Sequence, residues 1–191
     1  MKTDTTSQAY FDKKYRDNPD PWGFASSAYE QDRYARIVAA LQSRRYKRAF
    51  EPGCSIGVLT SYLATICDAV EAIDISPTAV GFAKVRCASL SNVSVECGSL
   101  PASIPDAPLD LVVLSEIGYY FSEKELYESG LTLAERMSPG AVLLATHWLG
   151  TSNDHILTGD RVHTLLSTLP GFKHDYQEKN PGFRIDRWTK E

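Results

Sequence analysis

Apolar positions along the chain alternate between helical and strand spacing. Ala28, Ala35, Ile37, Val38 and Leu41 share one face of a helix predicted from Ser27 to about Leu41. The pattern then shortens to Ala49-Phe50-Glu51, a strand entering a glycine-containing turn. It lengthens again where Val58, Leu59, Tyr62, Leu63 and Ile66 repeat at helical spacing. Val70 to Ile73 supplies a second strand that runs into Asp74. Ser76-Pro77 opens the next helix, with Ser as N-cap and Pro in the first turn, where its missing N–H costs nothing. Val93 to Glu96 is the third strand. The fourth, Leu109 to Leu114, is nearly all apolar, as a central strand covered on both faces must be. Ser122-Glu123-Lys124-Glu125 has the form of a capping box, and Ser138-Pro139-Gly140 ends the helix it starts before a fifth strand, Ala141 to Thr146.

The tail follows a different rule. Phe172 to Gln177 and Phe183 to Trp188 flank Asn180-Pro181-Gly182 and read as two strands joined by a turn. These elements predict an α/β fold: a doubly wound, mostly parallel seven-stranded sheet with a C-terminal antiparallel hairpin. No repeat is visible, and Asn18-Pro19-Asp20-Pro21 is the only linker-like stretch. A single domain over 1–191 is expected, with 1–42 as an N-terminal helical cover and 43–191 as the α/β core. In such sheets ligands bind beyond the carboxyl ends of the strands, where the strand order switches.

Composition narrows the function classes. A net charge of −4, a pI near 5.6 and the lack of a long basic run remove the electrostatic footprint of a nucleic-acid binder. Arg44-Arg45-Tyr46-Lys47-Arg48 and Lys13-Lys14 read as cover over a solvated helix end and the approach to a strand. No apolar run has membrane length, and the start has no apolar stretch of signal-peptide length, so a soluble, cytoplasmic protein without membrane insertion is expected. Cys54, Cys67, Cys87 and Cys97 form no C-x-x-C pair and predict reduced thiols with no metal site. Oligomeric state is left open, and a monomer is compatible with everything above.

The candidate chemistry lies in the first strand-to-helix turn, Glu51-Pro52-Gly53-Cys54-Ser55-Ile56-Gly57. Glycines there let a ligand approach the backbone closely, although a tight structural connection has the same composition. Asp74 ends the second strand 23 positions after Glu51 (74 − 51), where a carboxylate meets the ribose hydroxyls of an adenosine-containing ligand. The spacing departs from G-x-G-x-x-G because Ser55 stands at its second glycine, and no Lys-Ser/Thr ending follows. A nicotinamide-dependent oxidoreductase and a phosphate-cradling loop are therefore disfavoured. A non-catalytic binding module is disfavoured by the intact Gly53, Gly57 and Asp74.

Taken together, E-P-G-C-S-I-G, the acid in A-I-D-I-S, C-G-S-L-P, D-L-V-V-L-S-E and M-S-P-G-A resemble the class I S-adenosylmethionine-dependent methyltransferases, with Ser55 at the middle of the usual G-x-G-x-G. Upstream, Asp20-Pro21-Trp22-Gly23-Phe24 followed by Ser27-x-Tyr29-Glu30-x-x-Arg33-Tyr34 resembles the nodulation protein S group within them. The resemblance implies a Rossmann-like methyltransferase fold. It also implies S-adenosyl-L-methionine as donor with S-adenosyl-L-homocysteine as product. The implied reaction is N-methylation of the free amine on the non-reducing glucosamine of a deacetylated chitooligosaccharide, in nodulation-factor synthesis. An oligosaccharide or small-molecule acceptor is the implied partner.

Carried onto this sequence, the resemblance gives Glu51 the role of orienting the turn, while Gly53, Ser55 and Gly57 line the homocysteine part of the donor. Asp74 holds the ribose, Ile75 packs on the adenine, and Ser99 and Leu100 flank the adenine edge. Ser115 completes the donor set at the end of the fourth strand. Trp22 and Arg33 belong to a cover over the donor, with Arg33 available to its carboxylate. An amine must be neutral when it attacks, so an acceptor of its proton is expected at the carboxyl ends of the fourth and fifth strands. Glu116 is the first candidate for binding or deprotonating the amine and His147 the second. Tyr119, with Tyr120 and Trp148, supplies an aromatic face for a sugar or a cation. His155, Asp154 and Asp160 are placed in a loop bounding the acceptor groove.

Overall fold

The computed structural model describes residues 4–41, 44–106 and 108–191. The expected boundary between cover and core, at 42 and 43, lies outside them. The helices are α1 (Gln8–Asp17), α2 (Ala28–Leu41), α3 (Val58–Ile66), α4 (Pro77–Arg86), α5 (Glu123–Arg136) and α6 (Gly159–Leu166). The strands are β1 (Ala49–Pro52), β2 (Val70–Asp74), β3 (Val93–Cys97), β4 (Leu109–Ser115), β5 (Met137–Trp148), β6 (Phe172–Lys179) and β7 (Phe183–Lys190). They form one sheet in the order β3-β2-β1-β4-β5-β7-β6. The first five pair in parallel, and β7 pairs antiparallel with both β5 and β6. The expected doubly wound sheet with its terminal hairpin is therefore present, and its strand order reverses between β1 and β4.

Strand β4 shows why the core divides in two. Leu111 and Val113 pack with α2 and α3 residues such as Ile37, Leu41, Leu59 and Leu63. Val112 and Leu114 face the opposite way, toward Leu126, Leu133, Val162 and Leu166 of α5 and α6. Alternation of side chains along an extended strand sends successive residues to opposite faces, so an unbroken apolar strand needs helices on both. The N-terminal signals read from the sequence have structural counterparts. The Ser76 hydroxyl accepts from Ala79 N, and Ser122 and Glu125 close a reciprocal capping box at α5.

Three elements differ from expectation. Strand β5 starts at Met137, ahead of Ser138-Pro139-Gly140, and continues to Trp148. Its register against β4 shifts between Leu109 and Leu111, a bulge in which Gly140 takes a φ of +76°. Asp160 belongs to the first turn of α6, not to the loop before it, and pairs with Lys179 and Arg184 of the hairpin. Helix α1 has no counterpart in the apolar pattern, because among its residues only Tyr15 is buried. Polar contacts hold it instead: Asp12 Oδ1 accepts from Ser76 Oγ at 2.8 Å and from Thr78 N at 2.9 Å. The Thr78 N–H lowers the Asp12 pKa. The basic cluster after α2 is likewise spent locally, with Arg44 on the Gly140 carbonyl, Arg45 on Asp68 and Arg48 on Glu71. No helix among the described residues is long and apolar enough to cross a membrane.

Strand β1 is buried along its whole length yet carries a carboxyl, Glu51. Burial pushes its pKa up to about 8, against the pull of the Thr60 hydroxyl, which donates to Oε2 at 2.6 Å. In the unfolded chain the group titrates near its ordinary value of about 4.3. A raised folded-state value contributes stability that is complete below about pH 4 and is lost as pH rises through about 8. The Glu51→Gln chain, free of ligand, is expected to lose less stability than the parent between pH 5 and 8, by roughly 1 kcal/mol per pH unit at most. Denaturant midpoints across that range check it, and parallel profiles for the two chains would show that Glu51 is already ionised in the fold.

Candidate active site

The turn between β1 and α3 is held open by its backbone. Gly53, Ser55 and Gly57 all have positive φ, at +77°, +52° and +79°. Gly53 N and Cys54 N donate to the Ile73 carbonyl at 2.7 and 2.9 Å, which fastens the turn to the end of β2. A Cβ on Gly53 would sit 2.1 Å from Ile117 Cγ2, so only glycine lets the segment after β4 pack this closely on the first turn. Gly57 has a different neighbour: a Cβ there would press on Ala83 of α4 at 3.1 Å. It serves helix packing and lies outside the cavity, so the expectation that it lines the donor is not met by its placement.

Asp74 joins the two turns. Its Oδ2 accepts from Ser55 N at 2.9 Å and its Oδ1 from Ser76 N at 2.8 Å. Burial pushes its pKa up to about 6, and the two N–H groups pull the other way. Tyr15 of α1 donates its hydroxyl to Ser55 Oγ at 2.6 Å, closing the turn from above.

These groups border a cavity of about 460 Å³, a size usual for small-molecule sites. Of the expected donor residues, Trp22, Arg33, Glu51, Gly53, Ser55 and Asp74 line it. So do Ile75, Ser99, Leu100 and Ser115. The expected acceptor residues Glu116 and Tyr119 also line it, together with Tyr120, Trp148, Asp154 and His155. Phe11, Lys14 and Tyr15 of α1 also border it; Lys14, expected on a solvated surface, pairs with Asp154 here, and Phe11 and Tyr15 carried no signal because α1 has no apolar period.

Glu116 is the hub of a second polar cluster on the cavity wall, in a left-handed conformation with φ +59°. Its Oε1 accepts from Trp148 N at 2.7 Å and pairs with Arg33 Nη1 at 2.8 Å, while Oε2 accepts from the Tyr119 hydroxyl. Burial and the neighbouring carboxylate raise the Tyr119 pKa, so the phenol stays protonated. Its ring stacks on His155 with centroids 3.7 Å apart. Arg33 is 1% exposed, and its Nη2 pairs with Glu30. The guanidinium expected to meet a donor carboxylate thus already lies between two carboxylates of this chain. Burial alone would lower its pKa, but Glu116 and Glu30 carry it above the ordinary value. Glu30 appeared in the sequence only as part of a motif; its spacing of three from Arg33 on one helix was the available signal.

His147 is fully buried and is not on the cavity wall. Its Nε2 accepts from Gly118 N at 3.0 Å, which places the ring proton on Nδ1, 3.1 Å from His163 Nε2. The His163 Nδ1 proton then points to Asp186 Oδ2. Burial, reinforced by His163, pushes the His147 pKa well below its ordinary value and keeps the ring neutral. Instead of exchanging protons with an acceptor, His147 fixes the 118–120 turn that presents Tyr119 and Tyr120.

A family model described as Nodulation protein S (NodS) matches residues 5–140. The Nodulation protein S of Bradyrhizobium diazoefficiens is 29% identical over 141 residues, 72% of this chain and 65% of that protein. That of Rhizobium tropici is 26% identical over 159 residues, 78% of this chain and again 65% of the relative. The match thus spans just under two thirds of the length of these relatives. Among solved structures, the N-methyltransferase NodS of Bradyrhizobium japonicum WM9 in complex with S-adenosyl-L-homocysteine superposes with a TM-score of 0.84. It is 22% identical, and 98% of this chain and 99% of that one are covered. A candidate methyltransferase from Pseudomonas syringae superposes with a TM-score of 0.76 at 31% identity, covering 86% of this chain and 100% of that one. With a match running from α1 to the start of β5 and a sheet of the same architecture, this chain belongs to the nodulation protein S family.

Proposed function

We propose that the chain is an S-adenosylmethionine-dependent N-methyltransferase and that its acceptor is the free amine on the non-reducing glucosamine of a deacetylated chitooligosaccharide. The observation that carries the donor half is the open turn of Gly53 to Ser55 set against the buried Asp74 carboxylate on one cavity wall. An open turn with positive φ at Gly53 and Ser55, with an acceptor of hydroxyl hydrogen bonds beside it on the same cavity, fits an adenosyl ligand. The solved Bradyrhizobium japonicum relative holds S-adenosyl-L-homocysteine, which supports the same reading here. The amino-sugar half rests on the nodulation proteins named above and on the N-terminal motif shared with that group.

When bound, S-adenosylmethionine supplies a methyl group on a sulfonium whose departure leaves a neutral thioether. The chain has to bind and align. Asp74 accepts the ribose hydroxyls with the lone pairs its two backbone bonds leave free. Ile75 and Leu100 offer apolar surface to the purine and Ser99 a hydroxyl at its edge, while Trp22 and Ser115 close the donor side. Glu116, held by Trp148 N, Arg33 and Tyr119, presents fixed negative charge to the acceptor ammonium, and Tyr119, Tyr120 and Trp148 offer ring surface to the sugar. Positioning supplies much of the acceleration in such a displacement. Methylation of another small-molecule amine, hydroxyl or thiol is the alternative, since the same donor site serves it.

Removing the ribose acceptor in Asp74→Ala is expected to weaken S-adenosyl-L-homocysteine binding by about 1.5–3 kcal/mol, the range for hydrogen bonds to a charged group. Calorimetric titration measures it, and unchanged affinity would take Asp74 out of the site. For the acceptor, labelled donor is offered with fully acetylated chitooligosaccharide, with the same oligomer bearing one terminal free amine, and with unrelated amines. Label is expected on the free-amine oligomer alone. Equal label on acetylated and deacetylated oligomers, or on neither, would overturn the amino-sugar acceptor and leave the donor site standing.

A further inference from the structure

Among the described residues Glu30 has one buried oxygen, Oε2, that accepts no hydrogen bond. The residue is 7% exposed and lines the cavity. Its Oε2 lies against Arg33 Nη2 as an ion pair yet accepts no hydrogen bond, and neither does the buried Arg33 Nε donate one. Glu116, by contrast, has both oxygens engaged, by Trp148 N and Arg33 on one and by Tyr119 on the other. Two carboxylates therefore share one guanidinium, and only one of them is fully solvated by protein donors. If both are ionised, the cluster carries a net charge of −1 in a largely buried setting, which costs free energy unless a cation or a proton joins it.

We infer that Glu30 is the group that takes the proton from the acceptor ammonium, while Glu116 anchors and orients it. The inference rests on the amine-methylating reading above and assigns the acid–base role within that site. The ammonium passes one proton to the Glu30 carboxylate and becomes a neutral amine. Its lone pair forms the N–C bond as the C–S bond breaks, and the electron pair of that bond stays on sulfur. The product leaves as an N-methylammonium with a neutral thioether beside it. The proton restores the charge balance that the second carboxylate disturbs, so deprotonating the acceptor and neutralising the cluster are one event.

The surroundings suit that exchange. Burial pushes the Glu30 pKa up to about 7, with Arg33 of the same helix lowering it and Glu116 of the β4 end and Asp20 of the N-terminal loop raising it. Tyr34, one residue beyond Arg33, lowers it further through its hydroxyl. A base matched to neutral pH is the most efficient partner for an amine that titrates below lysine.

The test uses the full chain with S-adenosylmethionine and the free-amine oligomer, comparing the parent with Glu30→Gln, Glu30→Asp and Glu116→Gln from pH 5.5 to 9. Glu30→Gln is expected to lower kcat about 10²–10⁴-fold and to abolish the acidic limb of the kcat profile, with S-adenosyl-L-homocysteine affinity within about threefold of the parent. Glu30→Asp is expected to keep the limb at reduced kcat, and Glu116→Gln to raise KM while keeping the limb. A Glu30→Gln chain whose kcat stays within threefold of the parent, or whose limb persists, would overturn the assignment. So would a Glu30→Asp chain with the parent's rate, should the Gln variant fail to fold. Failure of the parent to methylate the amine would instead strike the acceptor reading. The Glu30 carboxyl stretch in the infrared then still decides: a band titrating near neutrality and missing from Glu30→Gln supports the inference, and a carboxylate ionised throughout pH 5.5–9 overturns it.

Discussion

Two backbone N–H groups converge on one buried carboxylate, and the cavity takes its shape from that convergence. Ser55 N and Ser76 N both donate to Asp74, so the turn after β1 and the turn after β2 are tied to the same side chain. Each turn opens a helix, α3 and α4, and each lies at the carboxyl edge where β1 and β2 end in register. Taking a carboxylate out of water is costly unless donors replace the water, and these two amides do so in part. The remaining cost shows in the raised pKa of Asp74. In the proposed donor site, the lone pairs that these two amides leave free would accept the ribose hydroxyls.

The opposite wall is organised by shared charge. Arg33 enters from α2, on the N-terminal side, and meets Glu116 from the end of β4. That pairing joins the cover to the core across the site, and α1 adds a second connection through Tyr15 on Ser55 and Tyr10 on Asp154. Behind the wall, the Gly118–His147–His163–Asp186 chain runs from the 118–120 turn to the hairpin, with each proton fixed by its neighbour. The antiparallel hairpin thus has a mechanical part in the site, supporting the turn that carries Tyr119 and Tyr120 although none of its own residues lines the cavity.

What the sequence made legible follows from how local the causes are. The strand order of alternating elements, the capping box at Ser122 and the placement of Gly53, Ser55 and Asp74 on one cavity all depend on spacing and backbone need. Helix α1 was illegible because it is held by polar bonds to distant residues and buries only Tyr15. His147 and Gly57 sit beside the expected site in sequence, but tertiary packing turns the first toward His163 and the second toward Ala83. Asp160 was placed in a loop because the Thr158 cap of a short helix carries little apolar signal. Glu30 could be paired with Arg33 from spacing alone, whereas the competition of Glu116 for the same guanidinium exists only in three dimensions.

The proposed adenosyl-donor site is the cleft beyond β1, β2 and β4. Parallel calorimetric titrations of the full chain with S-adenosyl-L-homocysteine and with NAD test it most directly. One saturable site for S-adenosyl-L-homocysteine and no heat beyond dilution with NAD is the predicted result. Absence of S-adenosyl-L-homocysteine binding, or equal binding of NAD, would contradict it.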